Sequence, residues 1–200
     1  APAARGANAG YLRRTIRHFH AKAARFLSAE SGDNWGPNGL GYFLASRMMW
    51  DVREAGRIGE LTADFLEKCF GPARAPMAGF YTLLDGTKRQ LLCDDLAGRM
   101  YRLLGEARGL TGDSAIGARL DDLTLYTRYV ELWLDYSTAR DAKRQAAFEA
   151  MIRHVYRMRD TMMVHALALY RDLDNRDKAV SIPDGGRWNV PEGKNPWKSS

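Results

Sequence analysis

Arg25-Phe26-Leu27-Ser28-Ala29-Glu30-Ser31-Gly32-Asp33-Asn34-Trp35-Gly36-Pro37-Asn38-Gly39-Leu40, continuing to Asp51, is the stretch whose reading decides the fold. A short apolar run over residues 26–29 ends at the carboxylate of Glu30. It gives way to a loop of Gly, Asp, Asn and Pro that holds Trp35, and helical spacing resumes near Leu40. Just before it, Leu12, Ile16, Phe19 and Ala23 recur at helical spacing, with Arg13, Arg14, Arg17 and Lys22 off that stripe. The pattern predicts an amphipathic helix over residues 11–24, a strand over 26–29, and a second helix with Asn38 as N-cap running to about Trp50. A strand whose C-terminal end delivers an acid and an aromatic into a loop is how the last βα unit of a (β/α)8 barrel presents residues to a sugar-sized ligand, and that unit is the expectation here. One strand cannot close a barrel or satisfy its own backbone groups, so residues 26–29 need pairing partners from elsewhere.

Beyond Asp51 no further strand pattern recurs. Ile58, Leu61, Phe65, Leu66 and Cys69 form a helical stripe that stops at Gly71-Pro72, and Pro76 suits the first turn of the next helix, with Met77, Phe80, Tyr81 and Leu84. Leu91 to Ala107 carries a longer stripe closed by Gly109, and residues 111–114 read as a turn and cap. An aromatic helix follows through Leu120, Tyr126, Tyr129, Trp133 and Tyr136, and a last long one runs from Phe148 to Leu169. Short connections make this an antiparallel helical bundle. From Asp174 onward periodicity is lost, and Trp188 and Trp197 among Pro, Gly, Asn and Lys predict an extended strap docked by its two indoles. The expected class is therefore mainly α: a barrel-end segment over residues 1–51, a helical bundle over 52–173 and a strap over 174–200.

Five strings carry a resemblance. Asp33 to Tyr42 with Ala45-Ser46-Arg47-Met48-Met49-Trp50-Asp51 resembles the closing segment of a bacterial family of unknown function related to α-glucuronidase-type glycoside hydrolases. Phe65-Leu66-Glu67-Lys68-Cys69-Phe70-Gly71, Ala75-Pro76-Met77, and Arg157-Met158-Arg159-Asp160-Thr161-Met162-Met163-Val164-His165 are similar to that family's helical C-terminal region. The resemblance implies a secreted or periplasmic, carbohydrate-active protein with an accessory domain, a catalytic barrel and this helical part. A poly- or oligosaccharide would be the substrate and the rest of the polypeptide the partner. It assigns no catalytic residue to this chain.

Composition narrows the alternatives. Two hundred residues with 46% apolar content suffice for a genuine core. The chain begins with Ala1, without an initiator Met, a charged n-region followed by an apolar h-region, or an apolar run long enough to cross a bilayer, so it reads as a soluble piece of something longer. The net charge of +6 comes from 30 basic residues interleaved with 24 acidic ones. An Arg-rich solvated helical surface accounts for it without nucleic acid, and a nucleic-acid binder would show a steep salt dependence. Cys69 and Cys93 are too few and too far apart for a metal knuckle and read as two buried thiols, with a disulfide between them as the alternative.

The residues with chemistry to offer are Glu30, Asp33, Asn34 and Trp35. Glycoside hydrolysis uses two carboxylates flanking the bond. Glu30 and Asp33 lie on one loop, without the other strands that such a pair draws on, so both are expected to bind ligand hydroxyls. Trp35 offers an apolar face to pyranose C–H groups and Asn34 an amide to hydroxyls. Gly36, Gly39 and Gly41 lack a phosphate loop's Lys and Ser/Thr and are expected to serve turn geometry. His18 and His20 do not share a helix face, and His154 and His165, on one helix, would be about 16 Å apart along its axis. Arg153, Arg157, Arg159 and Asp160 read as a charged face, and Met158, Met162 and Met163 as core filling. No cofactor or metal is expected. The bundle would buttress the barrel or supply a homodimer contact; the alternative is a non-catalytic carbohydrate-binding or scaffolding module.

Overall fold

The computed structural model describes residues 6–29, 32–87 and 91–199. Among them every regular element is helical: α1 (Ala9–Ala21), α2 (Trp35–Trp50), α3 (Ile58–Phe70), α4 (Arg74–Leu83), α5 (Asp94–Gly109), α6 (Ser114–Thr138), α7 (Asp141–Arg157) and α8 (Ala166–Arg176). Short 3-10 turns join several of them, and two more lie in the C-terminal tail. The mainly α expectation holds. The strand does not form: residues 26–29 are neither helix nor strand and are exposed throughout, so no barrel unit is built within the described residues. A ladder needs a neighbour, and no other described segment offers one.

The bundle follows from its stripes. α5 packs on α4 and on α6, α6 on α7, and α7 on α8. Their buried side chains meet in one core that includes Phe80, Met100, Leu120, Tyr126, Phe148, Ile152 and Tyr170. Asp113 starts α6 by accepting the backbone N–H groups of Ala115 and Ile116 at 2.8 and 3.0 Å. Gly71 ends α3 at φ +47°, a left-handed conformation that costs glycine nothing. A second, smaller core joins Ile16 of α1, Leu44 and Met48 of α2, Ala55 of the 3-10 turn Val52–Gly56 and Leu61 of α3. α3 belongs to both cores, because its Leu66 and Phe70 face the bundle.

Three further differences have local causes. α2 begins at Trp35, with Asn34 in the cap position. Asn38 lies one turn inside it and donates from Nδ2 to the Asn34 carbonyl at 2.7 Å. Gly36 and Gly41 serve close approach rather than turns, since a Cβ at Gly36 would strike the Met163 side chain and one at Gly41 would strike Ala7. The single helix expected from Phe148 to Leu169 is broken: α7 stops at Arg157, a 3-10 turn covers Arg159–Thr161, and Met162 adopts a left-handed φ of 56° before α8. His154 and His165 therefore sit on different elements. Met158 is buried as core, whereas Met162 is exposed.

The tail docks as a strap. Trp197 is 4% exposed and packs edge-on against Phe148 and Tyr170. Trp188 meets Tyr156 and Tyr170 with ring centroids 5.6 and 5.2 Å apart. The Lys198 ammonium donates to the carbonyls of Trp188 and Val190 and lies over the rings of Tyr156 and Trp188. Cys69 and Cys93 are free thiols, each half-buried, and burial pushes the Cys69 thiol up.

At the strap's root the Tyr136 hydroxyl donates to the Asp177 carboxylate at 2.5 Å. Arg144 pairs with the same carboxylate and covers the Tyr136 ring at 4.5 Å. The Tyr136 hydrogen bond, ahead of the Arg144 contact, holds the Asp177 carboxyl below its ordinary value. A carboxyl depressed by folding contributes stability above its unfolded pKa of about 4, and that contribution disappears as the pH falls through the folded value. Acid unfolding of Asp177→Asn is therefore expected to lose part of its dependence on pH below about 4. Thermal melts of both proteins between neutral and acid pH check this, and parallel curves would remove Asp177 from the acid response.

Candidate functional site

The loop that holds Asp33, Asn34 and Trp35 is fixed by the break between α7 and α8. The Met163 carbonyl accepts the Gly36 N–H at 2.7 Å, and the Asp33 carbonyl accepts the His165 N–H at 2.8 Å. Two backbone bonds thus join segments about 130 residues apart. Side chains continue the clamp: His165 Nδ1 stands 3.2 Å from Asp33 Oδ1, and the imidazole stacks on the Trp35 indole at 5.2 Å and 23°. Beneath them Tyr126 is fully buried with its hydroxyl toward Asn34. Burial first, and then the neighbouring Tyr129, pushes the Tyr126 hydroxyl up against the opposing pull of Asn34. The Tyr129 hydroxyl is raised too, by burial first and then by the negative charge of Asp33.

Three of the four expected site residues are therefore brought together. Glu30 lies outside the described residues. His165 is the member that the sequence did not assign, and no local signal marks it.

The chemistry of the cluster is limited. A carboxylate on Nδ1 calls for the proton there, which leaves Nε2 of a neutral His165 as an acceptor directed away from Asp33. No Ser, Thr or Cys among the described residues hydrogen-bonds to Nε2, so the nucleophile and base pair of covalent catalysis is not assembled among them. Asp33 is about half exposed and engaged by an imidazole rather than by a second carboxylate. The side chains form a rim: one acid, one imidazole and an indole with one face covered.

No family model, curated protein or solved structure matches the chain. Among the described residues no group of three His, Cys, Asp or Glu side chains could hold a metal, and no helix is long and apolar enough to cross a membrane. His18 and His20 lie exposed on α1. Buried His154 donates from Nε2 to the Leu125 carbonyl, 2.8 Å away, and burial lowers its pKa, consistent with a neutral structural imidazole. Arg153 pairs with Glu149, and Arg159 with Asp160 and Glu192, so these arginines lace the surface of the bundle and the strap.

Proposed function

We propose that this chain is the helical region of a carbohydrate-active, glycoside hydrolase-like protein, supplying sugar-contacting residues at Asp33, Asn34 and Trp35 and buttressing a catalytic barrel. The observation that supports it is the clamp itself, which holds an indole, a carboxylate and an imidazole at one surface with fixed backbone geometry. Aromatic edge and paired hydrogen-bonding groups are what a pyranose ring with its hydroxyls requires. Glu30, at the other end of the same loop, belongs to this reading as a further hydroxyl ligand. Catalysis would come from carboxylates elsewhere in the polypeptide, because Asp33 is engaged by His165. A secreted or periplasmic setting goes with the same reading.

The stacking of His165 on Trp35 favours a second reading, in which the cluster is only a scaffold latch. Calorimetric titration with neutral and acidic oligosaccharides separates the two. Trp35→Ala is expected to weaken glycan affinity at least tenfold, equivalent to about 1.4 kcal/mol, and Asp33→Asn to weaken it less, because the amide still hydrogen-bonds. Loss of melting temperature in Trp35→Ala with no glycan bound by either protein would leave the latch as the whole role.

A further inference from the structure

The positive charge of the chain is concentrated in one segment. Residues 1–29 hold six of the 30 basic residues and none of the 24 acidic ones, so they carry the whole net charge of +6 and the rest of the chain is neutral. The folded structure keeps that separation. Beyond residue 30, twelve arginines are ion-paired to Asp or Glu side chains, Arg47, Arg53 and Arg57 the nearest of them to α1 in sequence. Arg13, Arg14, Arg17, Lys22 and Arg25 are exposed, and none has an acidic partner among the described residues. Because Leu12 and Ile16 of α1 face the smaller core, the cations are left to water. Mutual repulsion in such a cluster is a standing cost that an anionic surface offsets.

These cations border the most exposed apolar side chains of the described residues. A hollow of about 650 Å³ at the C-terminal ends of α1 and α2 is lined by Phe19, Arg25, Phe26, Leu27, Met49 and Trp50, and the hollow beside it, which shares His20 and Arg53, is lined by Arg17. Phe26 and Trp50 are each 93% exposed. Asp51, the one acid among the described residues lining either hollow, is already bonded by Arg53.

Charge and exposed side chains together select the partner. A second copy of the chain would set cations against cations. A nucleic acid or an acidic glycan would meet the cations and leave the aliphatic Leu27 and Met49 in water. An anionic bilayer meets both, with lipid phosphates facing the arginines while indole, phenyl and aliphatic groups enter the boundary beneath them. The contact is shallow. No helix among the described residues is long and apolar enough to cross a membrane, and the backbone of residues 25–29, which makes no hydrogen bond to another described residue, is costly to take into hydrocarbon.

We infer that this end of the molecule is a peripheral docking face for an anionic phospholipid surface, with Phe26, Leu27, Met49 and Trp50 seated among the head groups and Arg17, Lys22 and Arg25 paired with their phosphates. The face lies roughly 22 Å along α2 from the Asp33 clamp, so lipid binding and sugar binding are separately testable.

Sedimentation with vesicles tests it. Phosphatidylcholine vesicles with about a third phosphatidylglycerol are expected to bind the 200-residue chain at least tenfold more tightly than phosphatidylcholine alone, and added salt to weaken that binding steeply. Arg17→Gln with Arg25→Gln is expected to cost about fivefold in affinity per charge. Phe26→Ala with Trp50→Ala is expected to keep the melting temperature and to lose at least tenfold in vesicle affinity. Tryptophan emission is expected to shift to the blue on the vesicles, and Trp50→Phe to remove the shift while binding persists. Equal binding to neutral and anionic vesicles, no binding to either, or unshifted emission overturns the inference. Tighter binding to heparin or to a single-stranded oligonucleotide than to the vesicles, unaffected by the loss of Phe26 and Trp50, would overturn it in favour of a soluble polyanion.

Discussion

Trp197→Ala is expected to lower the stability of the folded chain by about 3–5 kcal/mol, the cost of emptying a large aromatic site that cannot collapse. For a chain of this size that is a fall in melting temperature of roughly 10 °C. The indole is 4% exposed and lies between Phe148 and Tyr170. Gly186 lies so close that a Cβ there would sit 3.3 Å from the indole ring, so no side chain is at hand to fill the space. The loss spreads along the strap, because Asn195, whose Oδ1 accepts the Trp197 N–H at 2.9 Å, also donates to the Tyr170 hydroxyl and the Arg187 carbonyl. Tyr170 in turn donates to the Gly186 carbonyl. Trp50→Ala is the internal control. At 93% exposed it has almost no contact area to lose, and its effect is expected within about 0.5 kcal/mol. Chemical denaturation of both variants checks the pair; equal losses would mean that the strap is not part of the cooperative fold.

The contrast between the two tryptophans shows what a sequence does and does not disclose. The strap was legible, since two indoles among Pro, Gly and Asn have little else to do than dock. So were α3, with its Gly71-Pro72 stop, and the stripe of α6, because each depends on residues within a few turns of one another. The break between α7 and α8 was not. Nothing from Met158 to His165 is Gly or Pro, and local propensity favours an uninterrupted helix. The kink is set by a tertiary contact: the Met163 carbonyl and the His165 N–H are bonded to the loop at Gly36 and Asp33. The same long-range pairing explains why Asp33, Asn34 and Trp35 could be named from their own loop while His165 could not. The strand over residues 26–29 failed for the complementary reason. Its pattern was correctly apolar, but pairing is a property of two segments, and the described residues contain only one.

Leu44→Ala is expected to cost about 2–5 kcal/mol in local stability, and to spend most of it on α1 and α2. Leu44 is 1% exposed in the smaller core, which holds Ile16, Met48, Ala55 and Leu61 besides. That core is tied to the bundle through α3, through the two bonds of the Asp33 and Gly36 clamp, and through residues 6–8. There the Gly6 N–H donates to the Leu84 carbonyl at 2.5 Å and the Gly86 N–H to the Ala7 carbonyl at 3.0 Å. Few ties and few apolar neighbours define a unit that opens before the rest. Amides of α1 and α2 in Leu44→Ala are therefore expected to exchange well before those of α6 and α7, whose protection stays near that of the unsubstituted chain. Uniform acceleration through α4 to α7 would show instead that one cooperative unit spans both cores.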